Sequence, residues 1–233
     1  MMSYLDAVPN LGAQPSLKQL AYETLQRQII NGQLQPGSRL TEEELSRSMS
    51  ISRAPIREAL NMLERDGFTK IIPRRGAVVT DVSRQDVINI WEVRALLEPY
   101  AARCSVGLVP KEELERILAR LDRMAETPEQ FDNYTDLDLE IHALFHRYLE
   151  NSFLKSIVAN NQIHSNRVRW IGCGRQLPNE IELRQLNYKE HRQIIVAMLS
   201  GVPDAVYEAV RQHVVKSGER VLLQIDASPP ADS

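Results

Sequence analysis

Cysteine is scarce in this chain, which has only Cys104 and Cys173 among its 233 residues. Two isolated cysteines cannot form a disulfide framework or a cysteine-based zinc site. The chain also lacks an apolar run near the roughly 18 residues that a membrane span needs. Its first positive charge is Lys18, so the basic and then apolar pattern of a secretory signal is missing. We therefore expect a cytoplasmic protein with no membrane partner.

The remaining composition is that of an ordinary globular protein, with 43% hydrophobic and 25% charged residues. The length allows one large or two small domains. The net charge is −3, but residues 1–83 carry a net +1 and the remainder carries a net −4. Residues 52–75 hold six basic against three acidic side chains. A small basic surface on an otherwise acidic protein favours local contact with phosphate.

The first part of the chain has the pattern of a winged helix-turn-helix. The expected helices and strands lie at 17–31, 41–49, 52–66, 68–72 and 77–82. Thr41 followed by Glu44 forms a capping box, and Ser52 can cap the third helix. Gly76 lies at the tip of the predicted hairpin. Three helices followed by a hairpin predict a DNA-binding winged helix-turn-helix domain over 16–82.

The rest of the chain shows helical periodicity only, so the predicted fold class is mainly α. The expected helices lie at 84–106, 110–126, 129–150, 153–171, 180–200 and 203–224. Pro99 falls inside the first of them and should kink or divide it. Six helices of this length predict an all-α antiparallel helical bundle over 83–226. The ends, at 1–15 and 227–233, are expected to form a flexible arm and a disordered tail.

The third predicted helix carries Arg53 and Arg57, which are four residues apart and therefore share one face. Arginine can bridge two guanine acceptors or bind a phosphate. The backbone N–H groups at the helix start, together with Ser52, can hold a phosphate, and the hairpin tip adds Arg74 and Arg75. The alternative is a solvated face on which these arginines pair with acidic side chains of the same helix.

These residues lie in a longer motif that resembles the GntR family of bacterial transcription factors. The motif covers essentially all of 17–82 and contains Gly32-x-Leu34-x-Pro36-Gly37-x-x-Leu40, Glu44-Leu45, Ser52-Arg53-Ala54-Pro55-Ile56-Arg57-Glu58-Ala59-Leu60 and Leu63-x-x-Asp66-Gly67. The resemblance implies DNA contacts by Ser52, Arg53, Ala54, Arg57 and Arg75-Gly76. Glu43 is a departure, because some members of the family place a DNA-contacting arginine there.

All five histidines lie in the predicted bundle, and four of them have an informative spacing. Asp138, His142 and His146 follow one another at intervals of four residues and share one helix face. His191 and His213 are equally far from the turn between their helices, so an antiparallel pair brings them to the same height. Buried imidazoles that converge with a carboxylate can bind a divalent metal ion, namely zinc, nickel or manganese. The alternative for each histidine is a hydrogen-bonded core residue.

The bundle is also similar to the FCD domain, the sensor of one GntR subgroup, in its shorter six-helix form. The similar stretches are Val93–Ala102, Asp138-Leu-Glu-Ile-His142 with Asn151, Glu190-His191-Arg192 and Gln212-His213. The resemblance implies a metal held by Asp138, His142, His191 and His213. A rival register takes His142 and His146 as the first pair, and it requires a deletion before Asn151.

In FCD domains the metal faces a cavity that takes small organic acids, so the resemblance implies a small carboxylate effector. Arg94 is the best candidate to bind the carboxylate. The alternative for Arg94 is a salt bridge with Glu98 on the same helix. Arg167 and Arg169 are weaker candidates, because their part of the helix can simply be solvated.

The sequence therefore predicts a homodimeric transcription regulator that binds a near-palindromic DNA operator and responds to a small organic acid. One alternative is a metal-free regulator whose bundle serves only dimerisation. Another is a metal-dependent hydrolase, which needs a general base beside the metal. The residues between His142 and His146 are Ala-Leu-Phe, without a carboxylate, so we expect no enzyme activity.

Overall fold

The computed structural model describes residues 15–126, 134–173 and 180–226. The chain separates into two units, Met1–Asp81 and Val82–Ser233. The arm expected at 1–15, apart from Pro15, and the tail expected at 227–233 lie outside the described residues. Helices dominate both units, and the described strands all belong to the first unit, which confirms the mainly α fold class.

The first unit has the helices and strands of a winged helix-turn-helix. In chain order they are α1 (Leu17–Ile30), β1 (Arg39–Leu40), α2 (Glu42–Met49), α3 (Arg53–Arg65), β2 (Thr69–Ile72) and β3 (Gly76–Val79). Polar side chains start the first two helices, because the Ser16 hydroxyl accepts a hydrogen bond from the N–H of Gln19 and the Thr41 hydroxyl accepts one from the N–H of Glu44. The predicted cap at Thr41 is therefore present.

Ser52 is the N-cap residue of α3, as predicted, but its side chain makes no capping hydrogen bond. An N-cap side chain accepts a hydrogen bond from the second or third N–H of its helix. The third residue of α3 is Pro55, which has no N–H to donate. The first turn of α3 thus has no side-chain cap, and Ser52, Arg53 and Ala54 are exposed there.

The orientation of α3 is set by its apolar stripe, which packs on α1. The buried side chains of this contact are Leu25 and Ile29 on α1 and Ile56, Leu60 and Leu63 on α3. Burying each such side chain stabilises the unit by about 1.5–3 kcal/mol. Because the stripe occupies one side of α3, the exposed Arg53 and Arg57 project from the rest of its surface.

The hairpin forms as predicted, and a third strand joins it. β2 and β3 run antiparallel, with Thr69 opposite Val79 and Ile72 opposite Gly76. β1 pairs with the other edge of β3, which gives the strand order β1-β3-β2. β1 was not predicted, because two residues are too few to show an alternating pattern.

The second unit is an all-helical bundle in its described part. Its helices are α4 (Arg84–Ser105), α5 (Lys111–Glu126), α6 (Tyr134–Arg147), α7 (Ser152–Cys173), α8 (Glu180–Ser200) and α9 (Pro203–Asp226). All six predicted helices are found, with ends that differ by a few residues, and 127–133 lies outside the described residues. None of the described helices is long and apolar enough to cross a membrane.

α4 is continuous through Pro99, so of the two predicted outcomes, a kink or a division of the helix, the division is wrong. Proline removes one N–H from the helix ladder. Pro99 and the next turn, with Ala101 and Ala102, are buried in the bundle, where α4 packs on α6, α7 and α9. This packing holds α4 together despite the missing hydrogen bond.

Candidate DNA-binding surface and metal centre

The two arginines predicted to read DNA extend from the start of α3 toward α2. Arg57 forms a two-pronged ion pair with Glu42, in which Nε and Nη2 each lie 2.7 Å from a carboxylate oxygen. Arg53 Nη2 lies 3.2 Å from an oxygen of Glu43. The acidic partners therefore come from α2 and not from α3 itself. Arg53 and Arg57 remain exposed and accessible to a DNA duplex.

The wing carries the other predicted contacts, Arg74, Arg75 and Gly76. Gly76 has a φ of +88°, and a Cβ on it would lie 2.2 Å from the carbonyl oxygen of Leu40. Only glycine fits this approach of β3 to β1. Arg39, which the sequence analysis missed, donates a hydrogen bond from Nε to the carbonyl oxygen of Arg75 at 3.1 Å. Arg39 thus adds a positive charge next to the wing tip.

A groove of about 450 Å³ lies between α3 and the wing. Its cationic lining consists of Arg39, Arg53, Arg57, Arg74 and Arg75. Gly76 lines it as well, while Ser52 and Ala54 are exposed at the start of α3. The structure therefore brings the predicted helix and wing arginines to one surface of the first unit. Such a concentration of arginine suits contact with phosphates and guanine edges.

In the second unit, three histidines from three helices meet in the interior. His142 lies on α6, His191 on α8 and His213 on α9, and all three are buried. The Nε2 atoms of His142 and His191 are 3.3 Å apart, those of His191 and His213 are 3.1 Å apart, and those of His213 and His142 are 3.3 Å apart. His191 and His213 thus meet at one height, as their equal distance from the turn predicts.

The other ring nitrogen of each histidine has a partner that orients the ring. Nδ1 of His142 lies 3.1 Å from a Glu98 oxygen, and Nδ1 of His213 lies 2.9 Å from a Glu190 oxygen. A carboxylate only accepts hydrogen bonds, so it assigns the proton to Nδ1. Nδ1 of His191 lies 2.6 Å from the Tyr134 hydroxyl, which can accept the same bond. With the Tyr134 hydroxyl as the acceptor, the lone pairs of all three Nε2 atoms are directed at one another.

The electrostatic environment favours neutral imidazoles and ionised carboxylates at this cluster. Burial lowers the pKa of His142, His191 and His213, so the imidazoles are neutral near neutral pH. Burial opposes ionisation of Glu98, but the neighbouring Arg94 and His142 hold the pKa of its carboxyl group well below the usual value. Burial likewise opposes ionisation of Glu190, yet hydrogen bonds from His213 and Arg220 lower its pKa to about 2.

Asp138 stands beside two of the three rings. Its Oδ1 lies 3.6 Å from Nε2 of His191 and 3.9 Å from Nε2 of His142. Its other oxygen pairs with Nη1 of Arg169. Arg169 is therefore paired with an acid and not on a solvated face, and Arg167 is buried. The solvated interpretation of this part of α7 was wrong.

The geometry of the rings fits a transition-metal ion. A tetrahedral zinc ion with Zn–N bonds of about 2.0–2.1 Å spaces its nitrogen ligands about 3.3–3.4 Å apart. The three Nε2 atoms are separated by 3.1–3.3 Å, and Asp138 offers an oxygen close by. His146 is not in the histidine cluster found among the described residues, and its buried Nδ1 has no hydrogen-bond partner there.

Arg94 is fully buried next to this cluster, and the salt bridge weighed for it is present. Nε and Nη2 lie 2.7 and 3.2 Å from the two carboxylate oxygens of Glu98. The guanidinium also sits over the ring of Trp91, 4.7 Å from its centroid. The third nitrogen, Nη1, is buried and makes no hydrogen bond within the described part of the chain. Among the described residues, Nη1 of Arg94 and its two N–H groups therefore stay available.

The groups that orient the rings were not predicted from the sequence. Each group is distant in sequence from the histidine that it contacts. The separation is 57 residues for Tyr134, 44 for Glu98 and 23 for Glu190. Glu190 was quoted only as part of a motif, although its position directly before His191 was a usable signal. Arg220, which pairs with Glu190 at 2.6 Å, gave no signal in the sequence.

Comparison with known families accounts for both units. Residues 17–79 match the bacterial regulatory proteins of the GntR family, and residues 89–216 match the FCD domain. The chain belongs to the GntR family. The GntR match contains the helix and wing arginines, and the FCD match contains the three clustered histidines.

Known GntR-type relatives support this assignment over most of the chain. The HTH-type transcriptional regulator YdhC of Bacillus subtilis is 32% identical over 203 residues, which cover 83% of this chain and 84% of YdhC. The HTH-type transcriptional repressor RspR of Escherichia coli K12 is 30% identical over 207 residues, 88% of this chain and 89% of RspR. This GntR protein is therefore a DNA-binding transcription regulator, and the relatives that it matches are regulators and not enzymes, in line with the prediction.

Solved structures show the same fold. The structure of Escherichia coli McbR/YncC aligns with a TM-score of 0.75 and 19% sequence identity, covering 91% of this chain and all of that chain. A GntR transcriptional regulator from Rhodococcus sp. RHA1 aligns with a TM-score of 0.72 and 16% identity, covering 92% of this chain and 100% of its own. At these identities the likeness establishes the GntR fold alone.

Proposed function

We propose that this regulator acts in the cytoplasm as a homodimer on a near-palindromic operator, and that a small carboxylate effector bound at a divalent metal changes its operator affinity. The observation that carries the proposal is the convergence of three neutral, buried imidazoles with their Nε2 atoms 3.1–3.3 Å apart. Lone pairs at this distance repel one another, and a cation between them turns the repulsion into coordination.

The proposed metal ligands are Asp138, His142, His191 and His213. Three imidazole nitrogens and one carboxylate oxygen suit zinc, nickel or manganese. Glu98 and Glu190 fix the rings of His142 and His213, which is the usual support of metal-binding histidines. When bound, the ion supplies a positive centre that attracts an anionic ligand.

Arg94 is the proposed effector-binding residue, in addition to its pairing with Glu98. Nε and Nη2 are used by Glu98, while Nη1 is buried without a partner in the described part of the chain. An unsatisfied buried donor costs about 1–3 kcal/mol, more when it is charged. A carboxylate beside Nη1 and close to the metal would remove that cost. The two interpretations of Arg94 are therefore compatible.

The DNA-binding role is proposed for the first unit, over 16–82. The contact residues are Ser52, Arg53, Ala54, Arg57, Arg74, Arg75 and Gly76. Arg53 and Arg57 are exposed at the start of α3, which suits base edges or phosphates in the major groove. A homodimer places two such helices about 34–36 Å apart, one turn of the duplex, which is why we propose a near-palindromic operator.

The dimerisation surface is proposed on α4 and α7 of the second unit, 83–226. These helices pack on each other through Ala101 and Val158, and Leu149 from the connection between α6 and α7 joins the same cluster. Both also expose large apolar side chains, namely Val93, Leu96, Tyr100, Phe153 and Ile157. Leu96 is 73% exposed and Phe153 is 81% exposed, which is unfavourable for an isolated chain in water. A second copy of this chain is the occupant that a two-fold operator requires.

Metal analysis of the purified protein tests the central part of the proposal. We expect about one equivalent of zinc, nickel or manganese per chain. His191→Ala combined with His213→Ala should remove it, whereas the control His146→Ala should retain it. Full metal content in the double variant, or metal loss in the control alone, contradicts the site. A metal-free wild type that still dimerises would favour the alternative in which the bundle serves only dimerisation.

Operator binding measured with and without small carboxylic acids tests the regulatory part. Coupling between two sites in one protein is typically about 1–3 kcal/mol, or roughly 5–150-fold in affinity. We expect a carboxylate to shift operator affinity within this range in metal-loaded protein only. A shift of equal size after metal removal by a chelator would contradict an effector bound at the metal.

A further inference from the structure

Arg53 and Arg57, the two arginines proposed to read DNA, differ in how firmly they pair with the acidic residues of α2. Glu42 holds Arg57 through two hydrogen bonds of 2.7 Å, and the side chain of Glu42 is only 27% exposed. Glu43 touches Arg53 through a single contact of 3.2 Å, and its side chain is 61% exposed. The first pair is a clamp between α2 and α3. The second is a loose contact that can exchange.

Glu43 stands among groups that a duplex would also contact. It lines the groove between α3 and the wing together with Arg53. Its second oxygen lies 3.2 Å from Nη2 of Arg47, so the carboxylate bridges two arginines. An exposed ion pair is weak, and a phosphate or a guanine edge can replace the carboxylate as the partner of Arg53.

We propose that Glu43 is a specificity-determining residue that competes with DNA for Arg53. On non-specific DNA the available partner of Arg53 is a hydrated phosphate, which is no better than Glu43, so Arg53 stays with Glu43. On the operator a two-pronged contact with guanine outweighs the ion pair, and Arg53 exchanges. Glu43 therefore reduces non-specific binding more than operator binding. This inference rests on the proposed reading role of Arg53.

The test compares Glu43→Gln with wild-type protein on two duplexes over a range of salt concentrations. One duplex is an operator selected from a random library by the wild-type protein, and the other is a scrambled sequence of the same composition. In the Glu43→Gln variant, Arg53 is released and gains one phosphate contact on scrambled DNA. The salt slope, which is the slope of log affinity against log salt concentration, should therefore steepen by about 0.9. The affinity should rise about fivefold near 0.15 M salt. On the operator the slope should stay unchanged, and the affinity should rise only about twofold.

The matched control is Glu44→Gln, which removes the same charge from the same helix. Glu44 is bonded to the Thr41 hydroxyl, and glutamine also serves at that position of a capping box. We expect this variant to leave both salt slopes unchanged. An equal change in the control would attribute the effect to net charge and overturn the competition between Glu43 and DNA.

Arg53→Ala separates this inference from the function on which it rests. In a protein that already carries Arg53→Ala, the Glu43→Gln change should not alter the affinity for scrambled DNA, because Glu43 acts through Arg53. If Arg53→Ala leaves operator affinity unchanged, the reading role fails and this inference fails with it. If Arg53→Ala weakens operator binding but Glu43→Gln leaves the scrambled-DNA slope unchanged, only the competition is wrong. Loss of operator affinity in Glu43→Gln would mean that Glu43 itself accepts from a base, and this too overturns the proposal.

Discussion

Removing the guanidinium of Arg94 tests how far this residue supports the bundle. The Arg94 side chain is fully buried and holds the equally buried Glu98 through contacts of 2.7 and 3.2 Å. Within the described part of the chain, Arg94→Met leaves the Glu98 carboxylate with Nδ1 of His142 as its hydrogen-bonding partner. Breaking a buried ion pair in this way costs about 3–5 kcal/mol, because an unpaired charge stays in the interior. At about 2–4 °C per kcal/mol, the midpoint of thermal unfolding should fall by roughly 6–20 °C.

Urea unfolding followed by tryptophan fluorescence measures the loss of stability in the second unit, which contains Arg94. Both tryptophans, Trp91 and Trp170, belong to the second unit, so the signal reports that unit. The double change Arg94→Met with Glu98→Met removes both charges and should cost much less than either single change. A single-variant cost below about 1 kcal/mol, or a double-variant cost equal to the sum of the single costs, would refute the buried-pair account.

Three further predictions concern packing, the wing and assembly. Gly218→Ala places a Cβ 2.5 Å from Trp91 Cδ1, so overpacking of about 1–3 kcal/mol should outweigh the gain of about 1 kcal/mol in helix propensity; higher stability against urea would contradict this. Gly76→Ala drives a Cβ against the Leu40 carbonyl, and operator affinity should fall while the fluorescence transition of the second unit stays unchanged; full operator affinity argues against the wing. Leu96→Glu should give monomers in sedimentation velocity, and an intact dimer would remove α4 from the interface.

Local sequence patterns predicted the positions of the helices well. They were less reliable for helix caps and breaks, where the effect of one residue depends on its neighbours. The periodic stripes of the second unit gave six helices close to their observed ends. Ser52 lies at the N-cap position but makes no side-chain cap, and Pro55 removes one of the two N–H groups that can donate to such a cap. Pro99 failed to divide α4 because packing in the bundle compensates for the lost hydrogen bond. Both differences come from applying a single-residue rule without its structural context.

Only those residues of the candidate site that have an informative spacing along the helices could be predicted from the sequence. The four-residue intervals of Asp138, His142 and His146, and the equal distances of His191 and His213 from their turn, brought these residues to notice, and the structure places the rings of His142, His191 and His213 together. Tyr134 lies 57 residues from the ring that it contacts, and no pattern in the sequence links the two. The pairing of Arg53 with Glu43 likewise depends on how α2 lies beside α3. Such contacts require the fold and cannot be obtained from residue order.

Anomalous X-ray diffraction from crystals of the purified protein, measured at the absorption edges of zinc, nickel and manganese, tests the account most directly. We predict one anomalous peak per chain, about 2.0–2.2 Å from the Nε2 atoms of His142, His191 and His213, with Asp138 as a further ligand. No peak at this position in crystals grown with any of the three metals, together with rings that bond only to one another, would contradict a metal centre in this regulator.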